Sequence, residues 1–293
     1  MTLSSPASLL KKYQIRPQKR LGQNFLIAPP TLEKIVSSLE LKSDDTVVEI
    51  GPGLGVMTAM LAKRCHKVIA VEKDPRLLEI AHTEFGHIKN IEWVEGDFLE
   101  YGLKNISKII GNIPYEITSP ILFKLLDHPH FLSTVVLLMQ KEVSMRIVAK
   151  PRTKDYGILS VCCQAAASCQ RLFDVSAASF IPPPKVTSSV VHLQFPKSKP
   201  ACSEPLSSDY RISHSFGVRS QWLADQQWFR TVVRAAFGKR RKTLRNALLG
   251  STLGIDAAQL DRALAASTIV GTRRPETLTV QEFKILANEM LMV

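Results

Sequence analysis

Asn112, Ile113, Pro114 and Tyr115 place two hydrogen-bond acceptors, a conformationally fixed residue and an aromatic ring at four consecutive positions. An exocyclic amine on a purine is a poor nucleophile, because its lone pair is delocalised into the ring. Acceptors for both of its N–H groups favour a pyramidal nitrogen whose lone pair points at an electrophile. The side-chain oxygen of Asn112 and the backbone carbonyl of Ile113 suit that task, since Pro114 has a fixed φ and holds the carbonyl rigidly. Tyr115 adds a ring on which an extruded base can stack.

A proline–tyrosine turn capped by Asn112 is the alternative explanation of this tetrapeptide. Its position, directly after the run KIIG and behind an earlier glycine-rich turn, favours the amine chemistry. The scheme needs no general base, because the product ammonium is acidic enough to lose its proton to water. Alignment of the reactants can supply about 7 to 11 kcal/mol of a barrier, and electrostatic preorganisation adds to it.

The earlier glycine-rich turn is suited to a nucleoside cofactor. The run TVVEI leads into Gly51, Gly53 and Gly55 and then into a helical pattern. Glycines at such a turn let the backbone approach a ligand, although tight turns also carry glycines for structural reasons alone. Glu72 ends the next strand, 21 residues after Gly51, where a carboxylate can accept hydrogen bonds from both ribose hydroxyls. The alternative for Glu72 is a solvated charge at a strand end.

Two further strand ends indicate which cofactor to expect. Asp97 follows the third strand, where it can accept a hydrogen bond from an adenine amine, and Asn112 ends the fourth. Singly, such residues are typical of caps and turns. Their occurrence at successive strand ends is what indicates a cofactor site. NAD usually requires the spacing GxGxxG to cradle its pyrophosphate, and this turn lacks it, whereas a sulfonium cofactor needs no such cradle. We therefore expect S-adenosylmethionine, and no metal, since the histidines lack ligand spacing.

Strand and helix patterns alternate along the segment that positions these residues. From Thr46, short β-branched runs are followed by helical periodicity: TVVEI and VMTAMLAKRC, KVIAVE and PRLLEIAHTEF, IEWVEGD, KIIGN and TSPILFKLL, STVVLLMQ and VSMRIVAK. This alternation predicts an α/β fold with a Rossmann-like parallel sheet and helices on both faces. After a helix near 158–167, the run VTSSVVHLQF is expected to form a closing strand.

The charge balance indicates a polyanionic partner. Lys and Arg number 38 against 26 Asp and Glu, a net charge of +12, which suits nucleic acid but also an anionic membrane. No run approaches the ~18 to 20 apolar residues of a membrane span, and the first residues have no apolar stretch of signal-peptide length. We expect a soluble, cytoplasmic protein without a membrane partner. Reduced, mostly buried thiols are expected at Cys65, Cys162, Cys163, Cys169 and Cys202.

Positive charge is concentrated in two segments. Five cations precede the first acid, Glu33, and predict a flexible basic arm. The segment 229–250 contains no acid, and its apolar positions predict helices that bury one side and expose cations on the other. A solvated charged face is the alternative, but it would normally mix signs, so we expect phosphate contacts. The expected contacts are Arg230, Arg234, Lys239, Arg240, Arg241, Lys242 and Arg245.

The whole sequence resembles the KsgA-type family of ribosomal RNA adenine dimethyltransferases. The matching segments occur in family order and cover most of the chain: KRLGQNFL (19–26), EIGPGLGVMT (49–58), VEKD (71–74), EGDFL (95–99), GNIPYEITSPI (111–121), FIPPPKVTSSVV (180–191) and AAFGKRRKTLRN (235–246). The resemblance implies a class I methyltransferase domain at 1–196 with a basic N-terminal arm. A linker or insertion follows at 197–228, longer than is usual in the family, and a small helical RNA-binding domain spans 229–293.

The resemblance also implies roles for particular residues. Asn24 and Leu26 would contact S-adenosylmethionine from the arm, and Tyr115 and Phe180 would sandwich the target adenine. The remaining cofactor contacts would be Gly51, Gly53, Glu72, Asp97 and Asn112. The family dimethylates two adjacent adenosines in a hairpin loop near the 3′ end of small-subunit ribosomal RNA, on a late assembly particle. A monomer is expected by default. Glu116 departs from the neutral polar residue more common in relatives.

Three other functions remain open. A related class methylates a large-subunit adenine and shares the NIPY-type motif, but the segments 19–26 and 235–246 favour the small-subunit enzyme. An RNA-binding assembly factor, or a transcription-factor-like relative, would make methyl transfer secondary. A nicotinamide-dependent dehydrogenase is the third alternative. It would not explain the basic segment 229–250, and the sequence offers no identifiable proton-transfer residue for it.

Overall fold

The computed structural model describes residues 5–104, 106–196, 226–239 and 241–292. Within these limits the chain forms two compact units, one of residues 5–144 with 167–196 and one of 145–166 with 226–292. The first domain expected from the sequence, 1–196, includes residues 145–166. In the structure these residues belong to the same unit as the C-terminal helices. In that unit Lys284 Nζ donates to the carbonyl of Ala165 at 2.9 Å. Of the predicted linker, 197–225 lies outside the described residues.

The first unit contains a seven-stranded sheet and a separate two-stranded ribbon. The sheet strands are β2 (Thr46–Ile50), β3 (Lys67–Glu72), β4 (Ile91–Glu95), β5 (Lys108–Asn112), β6 (Thr134–Gln140), β7 (Ser168–Val175) and β9 (Ser188–Gln194). Their spatial order is β4-β3-β2-β5-β6-β9-β7. The first five in that order are parallel, and β9 is antiparallel to both of its neighbours. The ribbon pairs β1 (Phe25–Leu26) with β8 (Phe180–Ile181) in antiparallel fashion.

The sequence predicts five of these strands and the closing strand β9 correctly, and it does not predict β7. The residues of β7, SCQRLFDV, show no regular alternation of apolar and polar side chains. The strand lies at the sheet edge, most of its residues are partly or fully exposed, and its register shifts between Arg171 and Phe173. An edge strand with little buried surface leaves no period-two pattern to detect.

Helices precede the parallel strands and connect most of them. Before β2 lie α1 (Pro6–Lys12) and α2 (Pro29–Ser37), and β2, β3, β5 and β6 are followed by α3 (Val56–Ala62), α4 (Pro75–Phe85), α5 (Thr118–Leu126) and α6 (Lys141–Val148). Asp74 caps α4 by accepting a hydrogen bond from Arg76 N at 3.2 Å, and Pro75 stands at the first helical position. Helix α3 begins directly after the glycine turn at Gly55. These connections bring the carboxyl ends of β2, β3, β4 and β5 to one edge of the sheet.

The N-terminal arm is packed against the rest of the first unit. In α1, Leu9 is 1% exposed and belongs to the main hydrophobic core. Glu84, on α4, accepts hydrogen bonds from Lys12 Nζ at 2.5 Å and from Tyr13 Oη at 2.6 Å. The expectation of a flexible arm is therefore wrong. The expectation considered only the cations of the segment. The burial of Leu9 and Leu10 anchors the arm to the first unit.

The second unit is helical. Its helices are α7 (Ile158–Ala166), α8 (226–237), α9 (Leu244–Leu249), α10 (Ala257–Ala266) and α11 (Val280–Glu289). Capping boxes begin α10, at Asp256 and Gln259, and α11, at Thr279 and Glu282. The apolar positions predicted to pack are inside, since Val232, Val233, Leu244 and Leu248 are each 0% exposed. The ring of Phe237 lies 6.3 Å from that of Tyr156 and 5.7 Å from that of Phe283.

The thiols match the expectation where they are described. Cys65, Cys162 and Cys163 are buried and Cys169 is half-buried, and none of these four thiols forms a disulfide. Burial raises the pKa of the Cys162 thiol to about 11, so it is not reactive near neutral pH. Cys202 lies outside the described residues. None of the helices in the described ranges is long and apolar enough to cross a membrane.

Candidate active site

The carboxyl ends of the parallel strands open into a cavity of the first unit. Its walls are contributed by the arm at 20–26, by the β2 turn at 49–54, and by the ends of β3, β4 and β5. The predicted site residues on this lining are Asn24, Leu26, Gly51, Gly53, Glu72, Asp97, Asn112, Pro114 and Tyr115. Residues between positions 24 and 115 of the sequence thus surround one space.

Glu72 is held in place by the backbone on either side of it. Its Oε2 accepts a hydrogen bond from Gly53 N and its Oε1 accepts one from Asp74 N, each at 2.9 Å. The residue is 7% exposed, and burial raises the pKa of its carboxyl while the two N–H groups act in the opposite direction. Each carboxylate oxygen can still accept a second hydrogen bond, so two hydroxyls of a ribose fit this group.

Gly51 leaves space for a ligand beside Glu72. Its φ is +63°, a conformation that L side chains rarely adopt, and a Cβ added there would meet no atom within 4 Å. Gly55 has the opposite surroundings, since an added Cβ would lie 2.9 Å from both Phe85 and Trp93. The first glycine therefore borders the cavity, and the last permits α3 to pack on the core.

Glu49 is a cavity residue that the sequence analysis does not single out. It is 0% exposed, and neither of its carboxylate oxygens has a hydrogen-bond partner among the described residues. Burial raises the pKa of the Glu49 carboxyl to about 8, and the charge of Glu72 adds to the rise. The nearby Thr58 hydroxyl opposes the rise but does not meet hydrogen-bonding geometry. A glutamate within the apolar run TVVEI is the signal that could have identified it, because buried strands rarely carry an acid.

Asp97 stands at the end of β4 and carries a negative charge. Its Oδ2 accepts a hydrogen bond from Lys73 Nζ at 2.7 Å, and its Oδ1 accepts one from Leu99 N at 2.8 Å. The Lys73 ammonium is the main reason why the pKa of Asp97 is below its usual range. The ionised carboxylate is an acceptor, as the chemistry inferred for this position requires.

The arm contacts the tetrapeptide at Asn112. The Nδ2 of Asn112 donates to the backbone carbonyl of Asn24 at 2.9 Å. Asn24 in turn donates from its own Nδ2 to the carbonyl of Gly22 at 3.1 Å. With the amide nitrogen of Asn112 engaged by the arm, its Oδ1 is the acceptor available to a ligand.

Of the two predicted aromatic rings, Tyr115 lines the cavity and Phe180 does not. Tyr115 is half-buried, and its hydroxyl lies 2.7 Å from the hydroxyl of Ser188. Phe180 is 2% exposed and belongs to the hydrophobic core, with its backbone paired to Leu26 in the ribbon. In this structure Phe180 therefore does not present a face to the cavity, contrary to the predicted sandwich.

The cationic segment of the second unit is less uniform than its sequence suggests. Arg234, Lys239, Arg241 and Lys242 are exposed. Arg230 is only 8% exposed and is not on this surface, because it falls on the side of α8 that packs inward. Arg245 is half-buried and forms a bidentate ion pair with Asp261 of α10, at 2.6 and 2.8 Å. Arg240 lies outside the described residues.

The fold and the cavity together define a Rossmann-like, class I methyltransferase. The family model described as "Ribosomal RNA adenine dimethylase" matches residues 15–209, and the chain belongs to that family. The resemblance noted from the sequence motifs is thereby confirmed. Among the described residues no group of three or more His, Cys, Asp or Glu could hold a metal ion.

Relatives named "Ribosomal RNA small subunit methyltransferase A" extend over nearly the full length. The protein of Geobacter metallireducens is 40% identical over 94% of this chain and 96% of its own. That of Chlorobium phaeobacteroides is 40% identical over 93% and 91%. Among solved structures, a dimethyladenosine transferase from Plasmodium falciparum matches with a TM-score of 0.72, at 26% identity, over 88% of this chain and 94% of that one. The 23S rRNA methyltransferase ErmE matches with a TM-score of 0.63, also at 26% identity, over 91% and 99%.

Proposed function

We propose that the chain transfers methyl groups from S-adenosylmethionine to the N6 amines of two adjacent adenosines near the 3′ end of small-subunit (16S-type) ribosomal RNA. The adenosines lie in a hairpin loop, the products are dimethyladenosines and S-adenosylhomocysteine, and the step belongs to late 30S subunit assembly. The observation that carries the proposal is the Asn112 amide, whose nitrogen donates to the arm and whose oxygen is the remaining acceptor, in one cavity with Tyr115 and Glu72.

The chemistry of the cavity fits S-adenosylmethionine. Glu72 suits the ribose hydroxyls, and Asp97 suits an adenine amine. Glu49 brings a buried carboxyl group without a partner among the described residues, and an approaching cation would favour its ionised form. The ammonium of the cofactor's amino-acid part is such a cation, and Gly51 leaves open space for its approach. When bound, the cofactor supplies the electrophilic methyl group. Asn24, Leu26 and Gly53 complete the proposed cofactor contacts.

The target base is bound and aligned by the tetrapeptide. Asn112 Oδ1 and the carbonyl of Ile113 accept the two N6 hydrogens, and Pro114 fixes the backbone next to that carbonyl. Tyr115 stacks on the extruded base. Phe180 is proposed as the opposite face of the stack, which requires its ring to leave the core position that it occupies here. The proton released from the methylated amine passes to water.

Phosphate contacts are proposed for the basic residues. Exposed Arg234, Lys239, Arg241 and Lys242 belong to the proposed RNA-binding domain at 229–293, together with Arg240. We propose no phosphate contact for Arg230, which is buried, or for Arg245, which is paired with Asp261. Cations of this kind position an RNA without reading its sequence, so the shape of the loop and the extrudable adenine supply the specificity.

The relatives support the small subunit over the large one. The two curated relatives cited above are named for the small subunit, whereas ErmE is a 23S rRNA methyltransferase with a lower TM-score than the dimethyladenosine transferase. We further propose that the chain works as a monomer in the cytoplasm, on a 30S assembly particle.

The deciding experiment is transfer of labelled methyl from S-adenosylmethionine to small subunits that lack adenine dimethylation, followed by mass mapping. Dimethyladenosine at two neighbouring positions near the 3′ end is the expected product. Large subunits serve as the parallel substrate, and label found only there would favour the ErmE-like activity. Asn112→Ala is expected to abolish transfer while RNA binding remains. A variant with full activity would remove the central mechanistic claim.

The cofactor is tested separately by thermal unfolding. S-adenosylhomocysteine is expected to raise the melting temperature and NAD to leave it unchanged, because a ligand stabilises the state that it binds. The reverse pattern would assign the cavity to a dinucleotide.

A further inference from the structure

The amide of Asn112 can present either its oxygen or its nitrogen to the cavity, and the chemistry proposed for it needs the oxygen. The two orientations differ by a half-turn and have nearly the same shape, so packing alone does not choose between them. A hydrogen-bond partner on the far side does choose. That partner is the backbone carbonyl of Asn24, 2.9 Å from Asn112 Nδ2. The reversed amide would set two acceptor oxygens against each other and leave Asn24 without its donor.

The turn that carries this carbonyl is fitted against the same tetrapeptide. Gly22 has φ +62°, and a Cβ added to it would lie 3.2 Å from Pro114 Cβ. The Asn24 side chain closes the turn by donating to the Gly22 carbonyl at 3.1 Å. A side chain at position 22 would therefore make an unusually tight contact with Pro114, and the turn in this position brings the carbonyl of Asn24 to Asn112.

Gln23, which lies between Gly22 and Asn24, connects the turn to the end of the cavity at which Glu72 would bind the ribose. Its Nε2 donates to Asp74 Oδ2 at 2.8 Å, and its Oε1 accepts from Gln18 N at 2.8 Å. Asp74 N donates in turn to Glu72 Oε1 at 2.9 Å. Three consecutive arm residues thus connect the group that would hold the ribose with the group that would hold the target amine.

We propose that the turn 22–24 is the positioning element of the Asn112 amide, which it sets with the oxygen toward the target amine. The proposal rests on the function proposed above for Asn112. It gives the arm a part in the chemical step that goes beyond contact with the cofactor. Gly22 and Gln23 act through Asn112 and do not themselves touch the reacting atoms.

Gly22→Ala tests this with a matched control. The added methyl group is strained by the positive φ and makes a tight contact with Pro114, and we expect the turn to shift relative to Asn112 in response. Gly254 has a comparable φ of +71° in the second unit, with nothing within 4 Å of an added Cβ. Gly254→Ala therefore reproduces the backbone strain without the contact. We expect single-turnover methyl transfer at saturating cofactor and RNA to fall by about tenfold to a hundredfold in Gly22→Ala. Gly254→Ala should keep the wild-type rate.

The affinity for S-adenosylhomocysteine separates positioning from cofactor binding. In Gly22→Ala it is expected to stay within about threefold of wild type. An affinity that falls in step with the rate would show that the turn only holds the cofactor and would overturn the proposal. Gln23→Ala, which strains no backbone, is the second variant in case Gly22→Ala fails to fold. Gln23→Ala should also lower the rate of methyl transfer, by a smaller factor, and leave the affinity for S-adenosylhomocysteine within about threefold of wild type.

The side-chain amide signal of Asn112 in a ¹H–¹⁵N spectrum gives a readout independent of activity, and Asn112→Ala assigns it. We expect the signal to move in Gly22→Ala and to stay in Gly254→Ala. An unmoved signal together with an unchanged rate refutes the positioning role. If the wild-type protein methylates no ribosomal RNA while the signal still moves, the proposed function fails and the contact between arm and amide stands.

Discussion

The hydroxyl of Tyr115 hydrogen-bonds the hydroxyl of Ser188, with 2.7 Å between the two oxygens. Ser188 is the first residue of β9 and is fully buried. A strand that belongs to the antiparallel part of the sheet therefore fixes the ring on which the target base is proposed to stack.

Ser188→Ala is expected to lower methyl transfer about two- to tenfold, because a neutral hydrogen bond contributes roughly 0.5 to 1.5 kcal/mol. Tyr115→Phe removes the same bond, so the double variant should lose no more than the larger single loss. Ser189→Ala is the control, since the next serine is equally buried but bonds the Phe173 carbonyl and Asp174. Steady-state kinetics with melting temperatures measure the effect, and additive losses would mean that the two hydroxyls act separately.

Glu49 makes the stability of the cofactor-free protein depend on pH. Burial raises the pKa of its carboxyl from 4.5 to about 8, so the unfolded state ionises first. The contribution of Glu49 to the unfolding free energy is therefore fully present below this interval and is lost as pH rises through it. Burial of the Glu72 carboxyl, whose pKa is also raised, acts in the same direction. Glu49→Gln should flatten the profile of melting temperature against pH between 4.5 and 8.

The same variant tests the proposed contact with the ammonium of the cofactor. S-adenosylhomocysteine should stabilise wild type more strongly than Glu49→Gln at pH 8, because only the glutamate can pair with a cation. Thr58→Val, which removes the neighbouring buried hydroxyl and keeps the carboxylate, is the comparison. Equal stabilisation of wild type and Glu49→Gln would place the ammonium elsewhere.

The exposed and the paired cations of the second unit should differ in their effect on RNA binding. If about five phosphates are contacted, the logarithm of the affinity falls with the logarithm of salt concentration with a slope near −3.5. Lys242→Ala should reduce that slope by about 0.7. Arg245→Ala should leave it unchanged, because its guanidinium is engaged by Asp261. A salt-independent affinity in wild type would contradict phosphate contact altogether.

The arm is expected to contribute to global stability. Leu9→Ala removes a side chain that is 1% exposed and should destabilise the protein by about 2 to 5 kcal/mol. Lys11→Ala, on the exposed side of the same helix, is the control and should change stability by less than about 0.5 kcal/mol. Urea unfolding followed by circular dichroism measures both. A Leu9→Ala variant as stable as wild type would mean that the arm does not fold with the sheet.

The sequence predicts the site residues whose positions follow from the ends of the predicted strands. Glu72 and Asn112 each end a strand with a strong apolar pattern, and Asp97 lies two residues after β4. Parallel strands must bring such ends together. The tetrapeptide 112–115 is also predictable, because its hydrogen-bond acceptors, its proline and its aromatic ring are consecutive in the sequence. For these positions, knowing the strand boundaries is nearly the same as knowing the geometry.

The features that the sequence does not predict depend on partners far along the chain. Asp261, which neutralises Arg245, lies outside the acid-free segment that suggested a uniform cationic face. The core position of Phe180 and the orientation of Asn112 both depend on the arm. No periodicity encodes these contacts, because each is a single pairing between two separate segments of the chain.

The ribbon between β1 and β8 has a consequence for how the protein is made. Leu26 borders the cavity, and its backbone is paired with Phe180, while Ile27 N donates to the Ser179 carbonyl at 2.8 Å. During translation, residues 25–27 leave the exit tunnel long before the strand that receives them. The nascent chain therefore cannot complete this backbone pairing behind Leu26 until residue 181 has emerged.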